Sequence, residues 1–260
     1  MKLTPDTFQI LKENESGFLP YETGVLNSSI HKNSRVYQAD CLELLKQTPD
    51  KYYSLCIVDP PYGMPKDSTH GRGKLSGRML NNGGVEKWDV APEHSYFIEL
   101  FRVSKNQIIW GGNYFDLPGS RGFVIWDKEQ PFENFSAAEF AWLSFQCVSK
   151  IFKLPATRTG DFVKIHPTQK PVKLYEWLLK NYAKPGDKIL DTHLGSQSSR
   201  IAAYALGFDF VGFELDKEYY EQGNTRFEAF KADLDARDNM FAPIVQAKQE
   251  SLFDEVKKSA

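Results

Sequence analysis

Tyr53-Ser54-Leu55-Cys56-Ile57-Val58-Asp59-Pro60-Pro61-Tyr62 is the stretch from which the fold can be read. Its first six residues form an apolar run rich in β-branched and aromatic side chains, which predicts a buried strand. Two prolines then stop that strand, because they donate no backbone N–H and hold the chain extended. The result is a stiff loop at a strand's C-terminal end, presenting the Asp59 carboxylate and the Tyr62 ring. In open α/β sheets ligands bind outside that edge. A ring that stacks on a flat face and a carboxylate that accepts hydrogen bonds from an edge suit a flat, polar-edged substrate. A strand-ending turn with a surface tyrosine would use the same four residues, so the surrounding chain has to decide.

A chain of 260 residues can bury a full core as one α/β domain. Its net charge of -2 means that any affinity for nucleic acid comes from local basic patches. Cys41, Cys56 and Cys147 form neither a C-x-x-C pair nor a disulfide framework, and buried free thiols in a reducing cytoplasm account for them. The histidines show no metal spacing. No run approaches the roughly 18 apolar residues of a membrane helix, and the first residues lack the apolar stretch of a signal peptide.

Upstream, residues 1–34 read as an irregular N-terminal arm. Arg35–Gln38 is a short strand, and Asp40 stands at its end in the N-cap region of a short helix at 42–46, where capping alone would justify an Asp. Downstream of Tyr62, residues 64–88 hold five glycines and the basic residues Lys66, Arg72, Lys74, Arg78 and Lys87 against Asp67 and Glu86. A loop this long in a compact domain reads as a basic flap beside the site. A helix at 93–104 and strands at 107–110 and 122–126 follow, the first strand running into Asn113. One or two further strands lie within 138–152. Residues 148–173 are basic again, through Lys150, Lys153, Arg158, Lys164, Lys170 and Lys173, and a short target-recognition segment fits about 128–165. Pro171 opens a helix at Val172–Tyr182. Lys188–Leu190 is a strand, Ser198–Leu206 a helix closed by Gly207, Phe208–Phe213 a strand and Lys217–Phe230 a helix. Residues 231–260 read as a frayed helix and polar tail. The alternation predicts one doubly wound, mostly parallel sheet with helices on both faces.

Asp40, Asp59, Asn113, Asp191 and Glu214 all fall at the C-terminal ends of predicted strands, as one crevice in such a sheet requires. Asp191 to Ser199 is a strand–glycine loop–helix unit in which Gly195 permits close approach of a ligand. Glu214 closes the next strand, at the distance where an acid can take both ribose hydroxyls. The loop is neither G-x-G-x-x-G nor a P-loop, so a nucleoside without a phosphate chain fits, and S-adenosylmethionine (SAM) is the obvious candidate.

Asp59-Pro60-Pro61-Tyr62, His166-Pro167-Thr168-Gln169-Lys170-Pro171 and the Asp191–Glu214 unit, in that order, resemble the amino-DNA methyltransferases. They are most similar to the circularly permuted β group of phage and restriction–modification adenine-N6 enzymes, over about residues 35–230. The resemblance implies a Rossmann-like SAM-dependent methyltransferase fold with the catalytic half before the SAM half, acting in the cytoplasm as a monomer or dimer, without a metal or membrane. It implies that Asp59 and the Pro60 carbonyl accept hydrogen bonds from the amino group of a flipped-out adenine in double-stranded DNA, while Tyr62 stacks on the base. The opening Asp favours adenine; Ser is usual there for cytosine-N4 enzymes. SAM would be held by Asp40 at its adenine, Glu214 at its ribose, and Asp191, Leu194, Gly195 and Ser196 at its methionine. Asp59, His166, Thr168 and Lys170 would stand beside the cofactor. Lys66, Arg72, Lys74, Arg78, Lys150, Lys153 and Arg158 would meet DNA phosphates. Gln197 stands where the family usually has a second glycine, and its side chain either crowds the cofactor or points outward. Cytosine, RNA and a non-catalytic DNA-binding relic are the competing readings. Gln249-Glu250-Ser251-Leu252-Phe253 resembles the Gln-x-x-Leu-Phe peptide that docks on sliding clamps, or else packs back on the domain.

Overall fold

The computed structural model describes residues 33–63, 90–130, 136–155, 164–166 and 168–236. The N-terminal arm to residue 32, the basic flap with Lys66, Arg72, Lys74 and Arg78, Arg158, and the Gln249–Phe253 peptide lie outside them.

Eight strands form one sheet in the order β1-β8-β7-β2-β3-β5-β4-β6. They are β1 (Ser34–Gln38), β2 (Tyr53–Val58), β3 (Ser104–Trp110), β4 (Phe123–Asp127), β5 (Ala138–Leu143), β6 (Lys150–Lys153), β7 (Lys188–Asp191) and β8 (Asp209–Glu214). Only β5 is antiparallel to its neighbours β3 and β4; the other pairings are parallel. Four helices of the expected alternation are α1 (Cys41–Leu45), α2 (His94–Val103), α3 (Val172–Tyr182) and α4 (Ser198–Leu206). A fifth, α5, covers residues 217–236, six beyond the expected end at 230.

The near-continuous apolar strands are explained by burial on both faces. Leu55, Ile57, Ile108, Trp110, Ile189 and Phe210 point into one core with Leu174, Leu178 and Leu179 of α3 and Ala202 and Ala203 of α4. Cys56, Val58, Ile109, Leu190 and Phe213 point into the other, with Leu44 and Leu45 of α1 and Phe97, Leu100 and Val103 of α2. A period of two along each strand thus divides its residues between two helical layers. β3 begins three residues earlier than the apolar signal of Gln107 suggested. Tyr53 of β2 pairs with Ser104, and the Ser104 hydroxyl donates to the Leu100 carbonyl at 2.5 Å, so a buried polar residue enters the ladder directly from the helix.

β2 and β7 are neighbours, yet β2 leads on to β3 on one side and β7 to β8 on the other. Their outgoing loops diverge at the C-terminal edge and leave a crevice between them. Reversal of β5 brings its first residues, Ala138 and Glu139, to this same edge, opposite Asp127 and Trp126. Among the described residues no helix is long and apolar enough to cross a membrane.

Because each face has its own core, truncation on either should be equally damaging. Leu178→Ala and Leu100→Ala, both at 0% exposure, are each expected to cost about 2–5 kcal/mol in urea denaturation; a loss confined to one of them would contradict the two-faced packing.

Candidate active site

Asp59 follows the last residue of β2, and Asp191 ends the adjacent β7. The Asp59 carboxylate is engaged at both oxygens. Oδ1 accepts from the Tyr62 hydroxyl at 2.8 Å, and Oδ2 accepts from the Lys170 ammonium. Burial raises the Asp59 carboxyl above its ordinary value, and the Lys170 charge works against that rise. The Tyr62 ring stacks on Tyr114, with centroids 4.8 Å apart and 20° between planes. It also crosses Gly111 so closely that a Cβ there would lie 2.2 Å from the ring. Gly111 adopts φ 65°, so both its backbone and the space above it require glycine. Asn113 and Tyr114 are exposed on the short 3-10 turn Gly112–Tyr114 that follows.

Lys170 sends its ammonium onto Asp59 and to 3.0 Å from Glu139 Oε2. His166, from the same segment, faces the glycine loop: a Cβ on Gly195 would lie 3.6 Å from its ring. Its other side meets the Tyr219 ring edge-on at 4.3 Å. Burial, helped by Lys170, pushes His166 down to about 4, so the imidazole is neutral near pH 7. The Thr168 hydroxyl lies 3.1 Å from His166 Nδ1, closing the turn on itself.

In the glycine loop, Asp191 is buried and accepts from the His193 amide at 3.0 Å and the Ser199 hydroxyl at 2.6 Å. Burial outweighs these bonds and lifts it to about 7. Glu214, at the end of β8, accepts from the Gly195 amide at 2.7 Å and the Asp216 amide at 2.9 Å. The Leu194 amide donates to the Phe213 carbonyl at 2.9 Å, and its side chain fills the space above Gly212. Ser196 is buried, with its hydroxyl 3.1 Å from that of Ser198. Asp40 caps α1 through the Leu42 amide at 2.9 Å, at the end of β1 beside β8.

Not every expected residue converges here. Lys153 lies at the C-terminal edge, 3.8 Å from Asp127. Lys150 is three steps of roughly 3.3 Å back along β6, bonded to Asn181 at the far end of α3. Two residues that the sequence did not single out do enter the site, Glu139 and Tyr114. Glu139 carries a legible signal, as the one charge inside the otherwise apolar run Ala138–Leu143. Among the described residues no group of three or more His, Cys, Asp or Glu side chains is placed to hold a metal ion.

A family model for DNA methylases of the N6/N4 type matches residues 125–225. Putative methylase YubD of Escherichia coli K12 is 24% identical over 230 residues, covering 81% of this chain and 98% of that protein. Type II methyltransferase M.HinfI of Haemophilus influenzae is 23% identical over 282 residues, covering 85% and 72%. Among solved structures, the cytosine-N4-specific PvuII DNA methyltransferase superposes with a TM-score of 0.53 at 17% identity, covering 77% of this chain and 92% of that one.

Gln197 does not crowd the crevice. It takes the left-handed conformation, φ 61°, at a cost of roughly 1–2 kcal/mol for a residue with a Cβ. Its side chain is fully buried and turned towards α5. There Oε1 accepts from Arg200 at 2.8 Å and Nε2 lies 3.3 Å from the Tyr220 carbonyl and the Asn224 side chain. It fits because position 223 is glycine: a Cβ there would stand 2.6 Å from Gln197 Cγ. Gly223→Ala should therefore cost about 1–3 kcal/mol in wild type and much less in a Gln197→Gly background. A urea double-mutant cycle measures this, and strictly additive costs would contradict the packing.

Proposed function

We propose that this chain, one of the DNA methyltransferases of the N6/N4 group, methylates the N6 amino group of adenine in DNA with SAM as the methyl donor. The observation that carries the reading is the placement of Asp59 next to the glycine loop: two neighbouring strands deliver a base-binding carboxylate and a nucleoside-binding loop to one crevice.

The loop's residues fit SAM. Gly195 at φ 48° turns the loop beneath the His166 ring, and Glu214 stands at the end of the adjoining strand, its carboxylate offering about four acceptor positions. Glu214 would hold the ribose, Asp191, Leu194 and Gly195 the methionine portion, and Asp40 the adenine, with neutral His166 packed against the loop. Bound there, SAM supplies an electrophilic methyl group.

The chain's own work is to prepare the amine. An adenine amino nitrogen is a poor nucleophile because its lone pair is delocalised into the ring. Acceptors fixed by a stiff Asp-Pro-Pro loop draw its hydrogens out of the ring plane and localise that pair. An ionised carboxylate offers about four acceptor positions, so Asp59 can take an amine hydrogen while keeping Tyr62 and Lys170. The Pro60 carbonyl provides the second acceptor. Orientation supplies much of the rate, and preorganised acceptors in a water-poor site strengthen it. A base inside a duplex cannot reach this loop and has to be flipped out. Stacking on an aromatic ring such as Tyr62, worth about 1–3 kcal/mol per base, offsets part of that cost. Asp at position 59 favours adenine, and the burial of Gln197 away from the crevice favours a working enzyme over a relic.

The test combines SAM titration by calorimetry with tritiated-methyl transfer to unmethylated DNA and analysis of the methylated base. Asp59→Ala is expected to abolish transfer while leaving SAM affinity within about threefold, less than 1 kcal/mol. N4-methylcytosine as the product would overturn the adenine assignment, and loss of both activities in Asp59→Ala would overturn the role of Asp59.

A further inference from the structure

Beneath the Asp59–Tyr62 loop, four charged side chains from separate parts of the chain stand in a row. Lys170 precedes α3, Glu139 is the second residue of the reversed β5, and Lys128 follows β4. The Lys170 side chain is 3% exposed and bridges Asp59 and Glu139. Glu139 Oε1 in turn lies 2.5 Å from Lys128 Nζ. Lys170 also lies over the Trp110 ring, 5.2 Å from its centroid. The row alternates in sign and sums to zero. Among the described residues, Glu139 and Lys128 reach Asp59 through Lys170.

We propose that Lys170 and Glu139 are positioning residues for Asp59: Lys170 holds the carboxylate ionised and aimed, and Glu139 tempers the charge that Lys170 presents to it. This rests on the reading of Asp59 as the acceptor for the substrate amine. The physical requirement is plain. A buried carboxyl tends to keep its proton, and a protonated Asp59 offers a donor to an amine that also donates. A lone ammonium would secure ionisation but draw electron density from the oxygens and weaken them as acceptors. Sharing the ammonium with a second carboxylate, itself balanced by Lys128, leaves Asp59 ionised and still accepting.

The other groups around Asp59 do not supply this control. The Tyr62 hydroxyl is pushed far up by burial and by Asp59 itself, so it stays a neutral donor. Tyr175 of α3 is likewise held well above its ordinary value. His166 is neutral above about 4. Asp191 of β7, lifted to about 7, does titrate in the working range, but it belongs to the glycine loop. Its titration is followed separately as the pH dependence of SAM binding.

The experiment measures single-turnover methyl transfer at saturating SAM from pH 5 to 9 for wild type, Glu139→Gln and Lys170→Gln. In parallel, the Asp59 carboxyl is titrated by carbon-13 NMR, its signal assigned with Asp59→Asn. Activity that needs ionised Asp59 is lost as pH falls through its folded pKa. Lys170→Gln removes the opposing cation, so the acid limb and the NMR midpoint should move to higher pH. A shift of one unit is about tenfold in rate below the limb. Glu139→Gln removes a neighbouring anion and should move both to lower pH, while lowering the plateau rate severalfold. Should Lys170→Gln fail to fold, Glu139→Gln decides alone, since it leaves Lys170 paired with Asp59. Rates reduced equally at every pH with an unmoved NMR midpoint would make the row merely structural and overturn the inference. Shifted midpoints in an enzyme that methylates no DNA would leave the positioning in place and overturn the proposed function instead.

Discussion

Placing a carboxylate at the dry end of a buried strand is the constraint around which the active edge is built. Taking an ion out of water costs several kcal/mol even after relaxation, so Asp59 needs a cation that is itself out of water and held there. Lys170 meets that need because Pro171 starts α3 immediately after it, and Leu174, Tyr175, Leu178 and Leu179 anchor that helix in the core. Glu139 is available because β5 runs against its neighbours; a parallel strand in its place would deliver its first residues to the opposite edge. Tyr62 completes the set from within the loop, its ring fixed over Gly111 and its hydroxyl on Asp59.

The same edge explains how two distant parts of the chain share one site. Asp59 and Asp191 lie 132 positions apart in sequence yet end adjacent strands, and the two loops leave on opposite sides. α4 packs on one face and α2 on the other, which opens the crevice between them. Asp191 pays for its depth with a pKa near 7, and Glu214 holds the Gly195 amide so that the loop keeps its shape. A separate open cleft of about 250 Å³, lined by Phe101, Pro118, Trp142 and Phe145, sits at the far edge where β5 ends. Asp59, Lys170, Asp191 and Glu214 do not line it.

Much of this was legible in the sequence because burial leaves a pattern. α3 and α4 have the boundaries that apolar spacing, Pro171 and Gly207 indicated, and most strands agree to within a residue or two. Asp40, Asp59, Asp191 and Glu214 do stand at or just past the C-terminal ends of strands, as the pattern indicated. Partners distant in sequence were not legible. Nothing local to Gln197 reveals that Gly223 leaves room for it one helix away. Nothing in the segment His166–Pro171 shows that Lys170 reaches Glu139, because that depends on which strand lies beside β3. The reversal of β5 was hidden for the same reason: an alternating strand reads alike in both directions. Glu139 was the clue, since a charge in an apolar strand requires a partner.

Stability alone does not account for the charged row. Replacing a buried ion pair by apolar side chains of similar volume is often neutral, or stabilising by about 1–4 kcal/mol. Arg102 offers the contrast within the same molecule. Its guanidinium is partly exposed and donates to the Leu45 and Thr48 carbonyls at 2.7 Å each, with Glu99 and Asp50 alongside. It caps the end of α1, ties α1 to α2, and needs no chemistry to explain it. Among the described residues, the Lys170 ammonium is paired with two carboxylates that the fold has itself buried, Asp59 and Glu139. Their joint presence at the edge where the glycine loop also arrives fits the acceptor role proposed for Asp59 and is not something a core requires.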